Sequence, residues 1–429
     1  MERYSSYKDS GVSWIGEIPS HWTQRRVRYT GKSRNGLTYS PYDVSEDGEG
    51  ILVLRSSNIQ DGKLSFNDNV YVKKDIPTDL MVKKGDILIC SRNGSRDLVG
   101  KLALIDKDLE ASFGAFMMIY RTNMWAPFME KVLSVAIQSY KTLFSTSTIN
   151  QLTNDIFKDF VIPLPPLDEQ EKIVSYLEDK TSKIDAYVAD KEKEIELLQE
   201  LKQKTIADAV TKGLNPDAKM KNSGISWIGE IPEHWEVKRI ASLFTGRVQA
   251  NTDFKYHHAF KFYYGTLVPK NEVGDFEEYR DTYVKYSVLQ KDDIMINGLN
   301  LNYDFVSQRV AIAPSDGIIT SAYVVARPRK GTNALYYNYL FKTMDNMKLF
   351  HGMGTGIRLT LSFDEMKKQV VVVPPQDEQQ AIVAYIEEKC EKIDKLASEL
   401  QSEIDYLKEY KQRLIADCVT GQVNVQNEI

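Results

Sequence analysis

Arginine, asparagine and glutamine side chains occur together in several short loops of the chain, often next to glycine. Arginine and lysine contact phosphates and guanine edges, asparagine and glutamine contact adenine edges, and glycine lets a backbone approach a ligand. These loops therefore predict contacts to nucleic acid, although loops of this composition are also ordinary turns. The candidates are Arg34, Asn35, Arg55, Asn58, Arg92, Asn93, Arg96, Lys101, Asn150 and Gln151 in residues 23–162, and Arg247, Gln249, Asn251, Asn297, Asn300, Arg309, Thr355 and Arg358 in residues 236–372.

The sequence carries no pattern typical of a catalytic, nucleotide or metal site. The segment GKSRNG that begins at Gly31 lacks the glycine spacing of a phosphate-binding loop. The histidines show no zinc-ligand spacing, and Cys90, Cys390 and Cys418 are far apart, which suits a reducing compartment. We expect no catalytic residue, no metal and no cofactor in this chain.

The charge of the chain is unevenly distributed. The 429 residues carry a formal net charge of −5, and residues 168–208 and 377–417 each carry −5, which leaves +5 for the remainder. A mildly basic remainder permits DNA binding without establishing it. Because no apolar run approaches the length of a membrane span and the first residues are polar, we expect a cytoplasmic protein.

Two segments of the sequence occur twice. SGVSWIGEIPSHW, from Ser10, returns as SGISWIGEIPEHW from Ser223, with two differences in thirteen positions. PPLDEQEKIVSYLEDKTSKID, from Pro165, returns as PPQDEQQAIVAYIEEKCEKID from Pro374. Between these segments the copies diverge, apart from weak matches such as KKGDILI with QKDDIMI and STINQLT with TGIRLTLS. The chain is therefore an internal duplication of one unit.

Each copy combines a mixed domain with a long helix, so we predict a mixed α/β (α+β) fold with a pseudo-two-fold internal repeat. Short β-rich runs separated by Gly and Asn turns alternate with a few helical stretches in each domain. Capping-box spacing at Asp168 and Asp377 predicts where the long helices begin. The predicted boundaries are 1–163 for the first domain, 164–215 for the first helix, 216–373 for the second domain and 374–429 for the second helix.

The long helices carry apolar residues at the seven-residue spacing of a coiled coil. In the second helix these are Ile386, Ile393, Leu400, Leu407 and Leu414. The first helix has a weaker seam, which Lys191 and Thr205 interrupt. We therefore predict that the two helices pair with each other, in antiparallel orientation, as a spacer between the two domains. The chain termini would then be neighbours.

The repeated tryptophans have two interpretations. Trp14, Trp22, Trp227 and Trp235 are suited to a partner-binding surface, because aromatic residues are enriched in interface cores. They are equally typical of a buried core that anchors the start of each domain, and we favour that interpretation. His21 and His234, at equivalent positions, are also expected to be structural.

The two repeated motifs, in this order around divergent middles of about 150 residues, resemble the specificity (S) subunit of type I restriction–modification systems. The resemblance implies two target recognition domains that each read half of a bipartite double-stranded DNA sequence. It also implies two methylation (M) subunits and restriction (R) subunits as partners, which would hold S-adenosylmethionine, ATP and Mg²⁺, so the chain itself would not be an enzyme. The implied docking candidates are Trp14, Trp22, Asp168, Ile184, Trp227, Trp235, Asp377 and Ile393.

A rival interpretation is a two-headed, non-catalytic scaffold or adaptor that binds protein or RNA. Two related domains on a helical spacer fit this class as well. Copurification with an S-adenosylmethionine-dependent adenine methyltransferase would distinguish the specificity subunit from the adaptor.

Overall fold

The computed structural model describes residues 2–141, 150–246, 249–270, 276–303 and 308–427. The chain forms two compact units. Unit 1 consists of residues 1–190 and 402–429, and unit 2 consists of residues 191–401. Each unit therefore contains one mixed domain and a stretch of each long helix.

In the described residues of unit 1, short strands and two helices precede the first long helix. The helices are α1 (Ala126–Ser139) and α2 (Asn154–Lys158). The strands are β1 (Tyr7–Asp9), β2 (Glu17–Pro19), β3 (Thr23–Arg26), β4 (Gly31–Asn35), β5 (Ile51–Leu54), β6 (Ile59–Gln60), β7 (Lys63–Leu64), β8 (Tyr71–Val72), β9 (Asp86–Cys90), β10 (Leu102–Leu104), β11 (Ala111–Phe113), β12 (Met117–Thr122) and β13 (Val161–Leu164).

A four-stranded antiparallel sheet, in the order β10-β9-β12-β4, forms the centre of unit 1. Its central strands are apolar and buried from Ile87 to Cys90 and from Met117 to Tyr120, because both faces are covered there. Ile87 and Ile89 face the core that contains α1, whereas Leu88 and Cys90 face a second core against the sheet β11-β5-β8. This is the alternation that a strand imposes on its side chains.

The first long helix, α3, spans Leu167–Lys212, and unit 2 follows with its own strands and helices. The helices are α4 (Ile240–Leu243), α5 (Arg280–Tyr283), α6 (Ala334–Asn346), α7 (Phe363–Met366) and the second long helix α8 (Gln376–Val419). The strands are β14 (Met220–Asn222), β15 (Glu230–Pro232), β16 (Glu236–Arg239), β17 (Phe244–Gly246), β18 (Phe260–Tyr263), β19 (Thr266–Pro269), β20 (Ser287–Leu289), β21 (Ile294–Ile296), β22 (Val310–Ile312), β23 (Gly317–Ile319), β24 (Val324–Pro328) and β25 (Val370–Val373).

Unit 2 repeats the topology of unit 1. Its four-stranded antiparallel sheet has the order β22-β21-β24-β17, which matches β10-β9-β12-β4 strand for strand. The hairpin β14-β15 corresponds to β1-β2, and the pair β16-β25 corresponds to β3-β13. The mixed fold and the internal duplication that the sequence predicts are confirmed.

A buried ion pair sits at the same place in both sheets and explains the weak match between KKGDILI and QKDDIMI. The guanidinium of Arg121 donates two hydrogen bonds to Asp86, at 2.7 and 2.6 Å. Arg327 donates two to Asp293, at 2.8 and 2.6 Å. Both carboxylates are about 1% exposed, so each needs such a partner.

The long helices run antiparallel to each other within each unit. In unit 1, Lys411 on α8 contacts Asp185 on α3 at 2.5 Å, and Tyr187 donates to Glu403 at 3.2 Å. In unit 2, Lys202 on α3 contacts Asp394 on α8 at 2.6 Å. The predicted coiled-coil pairing is confirmed inside each unit.

The predicted capping boxes are wrong. Helix α3 begins at Leu167 and α8 at Gln376, so Asp168 and Asp377 lie within the first turn instead of preceding it. There the carboxylates face the positive end of the helix dipole. In the described part of the chain no helix has the length and apolar composition needed to cross a membrane.

Candidate nucleic-acid interface

Six of the ten sequence-predicted residues of unit 1 converge at one end of its four-stranded sheet. Strand β9 ends at Cys90 and the neighbouring strand β12 begins at Met117, so the next residues lie opposite each other. The backbone N–H groups of Ser91 and Arg92 both donate to the carbonyl oxygen of Phe116 at 3.0 Å. Arg92 also forms an isolated β-bridge with Gln151.

Two further loops join this end of the sheet. The side-chain amide of Asn93 donates to Ser56 Oγ at 3.3 Å, and Asn154 donates to Asn35 Oδ1 at 3.0 Å. We call the resulting cluster the first loop cluster, and its predicted members are Asn35, Arg55, Arg92, Asn93, Asn150 and Gln151.

The predicted arginines of unit 1 differ in whether a carboxylate is paired with them. Arg34 is paired with Asp79, and Arg55 contacts Asp68 at 2.9 Å. Arg92 and Arg96 are exposed and have no carboxylate partner among the described residues. The Arg92 guanidinium lies over the ring of Phe116, 5.4 Å from its centroid.

The buried thiol beneath this cluster is unreactive. Cys90 is fully buried, and its Sγ lies 3.7 Å from the Arg92 carbonyl oxygen, to which it donates. Burial raises the pKa of the Cys90 thiol to about 11. The thiol therefore stays protonated at neutral pH and supports the loop instead of acting as a nucleophile.

Two of the predicted asparagines hold loops together. Asn58 is fully buried, accepts a hydrogen bond from Arg55 N at 2.9 Å and donates to the Ser65 carbonyl at 2.9 Å. Asn251 is also fully buried and exchanges two bonds with the backbone of Tyr256. In this structure neither amide is accessible to a base.

Unit 2 forms a second loop cluster at the equivalent end of its sheet. The guanidinium of the buried Arg309 donates to the carbonyl oxygens of Asn297 at 3.0 Å, Leu299 at 2.7 Å and Asn300 at 3.3 Å. Arg309 therefore shapes the loop 297–300. Its backbone position matches that of Lys101, because Asn297 N donates to Arg309 O as Cys90 N donates to Lys101 O.

The loop that contains Thr355 and Arg358 belongs to the same second loop cluster. Leu361 N donates to Gly298 O at 2.8 Å, and Leu301 N donates to the Leu359 carbonyl at 3.1 Å. Thr355 and Arg358 are exposed on this loop. Gln249 pairs through its carbonyl with Val288 N instead, and Arg247 lies outside the described residues.

Several exposed apolar side chains near these loops were not predicted. Phe116 is 60% exposed in unit 1, and in unit 2 Ile357 is 99% and Tyr303 68% exposed. Tyr263 and Tyr264 are exposed at the tip of the β18-β19 hairpin, and the consecutive tyrosines before Gly265 are the signal that would have found them. Flat rings of this kind stack on nucleic-acid bases.

The two repeated motifs meet in one hydrogen-bonded cluster per unit. In unit 1 the carboxylate of Glu169 accepts from Trp22 Nε1 at 2.9 Å and from Tyr4 at 3.0 Å, and His21 contacts its other oxygen. In unit 2, Trp235 and His234 contact Glu378 in the same way. The structural roles of the histidines and the core interpretation of Trp22 and Trp235 agree with this packing.

The remaining docking candidates differ in accessibility. Trp14 and Trp227 are half-buried against the cores of their units, and Ile184 and Ile393 are half-buried on the long helices. Asp168 and Asp377 are exposed in the first helical turns. A partner would reach these side chains more readily than Trp22 and Trp235, which are fully buried.

A third segment that occurs twice lies at the end of each long helix and was not predicted. IADAVT, from Ile206, ends α3 in unit 2, and IADCVT, from Ile415, ends α8 in unit 1. Each is followed by a glycine with positive φ, Gly213 or Gly421. A Cβ at Gly421 would lie 2.4 Å from Pro19 and 3.1 Å from the ring of Trp22, so only glycine fits there.

Comparison with known proteins agrees with this architecture. Residues 20–197 and 232–406 each match the family model of the type I restriction modification DNA specificity domain. The chain is 22% identical to the type I restriction enzyme EcoKI specificity subunit of Escherichia coli, over 96% of this chain and 91% of that protein. It is 25% identical to the putative MjaX specificity subunit of Methanocaldococcus jannaschii, over 96% of both.

The fold is also similar to that of a chain solved to show complex assembly and conformational transition of the type I R-M system. The TM-score is 0.68 at 15% identity, over 95% of this chain and 99% of that one. The two family matches fall one on each copy of the repeat and together cover well over half of the sequence. The chain therefore belongs to the type I restriction modification DNA specificity family.

Proposed function

We propose that this chain is the non-catalytic subunit that gives a type I restriction–modification complex its DNA sequence specificity, and that each unit reads one half of a bipartite double-stranded target. The observation that carries this proposal is the placement of the two loop clusters. They occupy the same end of equivalent sheets, but their exposed side chains differ. Equivalent positions with different side chains suit two readers of different base sequences.

What the two units share supports the proposed partners. The Glu169 and Glu378 clusters and the first turns of the long helices are nearly identical in sequence and hydrogen bonding. Surface beside a repeated scaffold offers the same partner two equivalent sites. We assign these surfaces to two methylation subunits, with restriction subunits added to that complex. S-adenosylmethionine, ATP and Mg²⁺ would be held by those partners.

Mapping methylated adenines across the host genome tests this proposal. Deleting the gene for this chain should remove one bipartite motif and leave other methylation unchanged. Replacing residues 23–162 with the matching segment of a relative should then alter one half of the motif only. An unchanged methylation map after deletion would contradict the proposal.

The adaptor interpretation makes a different prediction for the purified protein. A specificity subunit should copurify with adenine methyltransferase activity that depends on S-adenosylmethionine. An adaptor should purify without that activity and show no preference among duplex sequences.

A further inference from the structure

Resting on the proposed function, we infer that Arg92, whose guanidinium lies over the ring of Phe116, reads a guanine in the half-site bound by unit 1. Arg92 is the one predicted arginine of the first loop cluster whose charge is not taken by a carboxylate among the described residues.

The backbone around both residues is held firmly. The Phe116 carbonyl accepts from Ser91 N, Arg92 N and Ser91 Oγ, each at 3.0 Å. These bonds extend the antiparallel ladder of β9 and β12 beyond Cys90 and Met117, and Arg92 is bridged to Gln151 on its other side. The side chains of Arg92 and Phe116 therefore extend from backbone that is held in place at the end of the sheet.

The Phe116 ring orients the guanidinium. With the ring 60% exposed and the guanidinium 5.4 Å from its centroid, the two groups form a cation–π contact at the surface. A guanidinium held over a ring by this contact can still present its N–H donors to a ligand. Pre-orientation of a flexible side chain lowers the entropy lost on binding.

Chemistry selects guanine for such an edge. Two parallel N–H donors of arginine match N7 and O6 of guanine in the major groove, and no other base offers that pair of acceptors. Of the described side chains next to Arg92, those of Asn93 and Gln151 are neutral and do not compete for the charge. Arg34 and Arg55, by contrast, each contact an aspartate.

The test measures binding by the complete complex to duplexes that carry its methylation motif. Each guanine is replaced in turn by 7-deazaguanine, which lacks the N7 acceptor. The wild-type complex should lose roughly 2- to 12-fold in affinity at one guanine of the first half-site, because 7-deazaguanine keeps O6 and lacks one of the two acceptors of a bidentate contact. The R92A complex should be insensitive at that guanine and remain sensitive at guanines elsewhere.

Matched variants separate reading from folding. R96A removes an exposed arginine of the same loop that lacks the ring contact, and it should respond to every replacement as the wild type does. F116L should reduce the loss of affinity that 7-deazaguanine causes at the same guanine. F116Y, which keeps the ring, should restore that loss to the wild-type value. Unchanged binding of the second half-site shows that each variant is folded.

Two outcomes overturn the inference. If each 7-deazaguanine replacement lowers the affinity of the R92A complex by the same factor as that of the wild type, Arg92 contacts a phosphate or nothing. If the first half-site contains no guanine on either strand, the inference also fails. Failure of the proposed function is distinguishable, because the wild-type complex would then show no bipartite motif at all.

Discussion

Asp86 and Asp293 are the most buried carboxylates in the two sheets, and each accepts two hydrogen bonds from one arginine. Their surroundings differ in one respect. The Arg121 side chain is 38% exposed, whereas that of Arg327 is 13% exposed. Water therefore solvates Arg121 when its partner is lost, but reaches Arg327 much less.

We expect Asp293→Asn to destabilise the protein by about 3–5 kcal/mol, as breaking a buried ion pair does. Asp86→Asn should cost less, about 1.5–3 kcal/mol, because Arg121 stays partly hydrated. Urea unfolding measures both. Asp97→Asn, at a side chain that is 94% exposed, is the control and should stay within about 0.5 kcal/mol of wild type. A larger cost at Asp86 would contradict this explanation.

Glu130 on α1 gives the stability a pH dependence. The side chain is buried, and burial raises the pKa of its carboxyl despite the ion pair with Lys131. A raised pKa in the folded state means that Glu130 favours folding below its ordinary pKa and that this contribution is lost as the pH rises. Asn338 occupies the matching helix position in unit 2.

Glu130→Gln should therefore gain stability relative to wild type as the pH rises from about 4 to about 7, since the amide cannot ionise. Urea unfolding at both pH values measures the difference. The exposed Glu196→Gln serves as the control and should show no such trend. A gain for Glu130→Gln that is equal at both pH values would show that packing, and not ionisation, sets the effect.

At the scale of elements, the two ion pairs between the long helices are copies of each other. Asp185 and Lys411 in unit 1 correspond by the repeat to Asp394 and Lys202 in unit 2. Both pairs are partly exposed, so each contributes little to stability alone. Their opposite charges nevertheless match only when the helices run antiparallel in this register.

Charge reversal at one pair tests that register. Lys202→Glu and Asp394→Lys should each destabilise unit 2, and the double variant should recover roughly 0.2–1 kcal/mol in a double-mutant cycle. The coupling is read from urea unfolding at low salt and should shrink at high salt. Zero coupling at low salt would mean that these side chains do not meet in solution.

Elements with a repeated signal were the predictable part of this fold. Proline followed by a long heptad pattern indicated the start of both long helices to within a few residues, whereas the second helix ends at Val419, ten residues before its predicted end. The capping boxes failed because Leu167 and Gln376 already take helical geometry after the prolines. At the candidate interface, Asn58 and Arg92 have residue types that suit either a base contact or a loop bond. The role of each depends on where the folded chain places it, because Asn58 is buried and Arg92 is exposed.

At the scale of the whole molecule, the ends of the described chain meet in unit 1. Asn424 N donates to the Glu2 carbonyl at 2.9 Å, and Asn427 Nδ2 donates to the Glu2 carboxylate at 3.3 Å. Met1 and Ile429, which we expect to be neighbours, lie outside the described residues. The turn around Pro216 is exposed and offers a place for new termini.

A permutant with a short linker between the original ends and an opening near Pro216 should therefore fold and keep the same methylation motif. Its thermal unfolding and its methylation map provide the measurement. As a control, an opening within β21, which is buried, should abolish folding. Loss of the motif in a folded Pro216 permutant would contradict the prediction.

The order in which the two units can complete their folding during synthesis follows from which residues each unit contains. Unit 2 is one continuous segment, so it can complete its core as soon as residue 401 has emerged. Unit 1 cannot, because Leu414, Cys418, Val419, Val423 and Val425 belong to its core. The domain synthesised first is thus finished last, which reverses the usual N-terminal-first order of folding during synthesis. Until residues 414–425 have emerged, part of the apolar core of unit 1 stays uncovered.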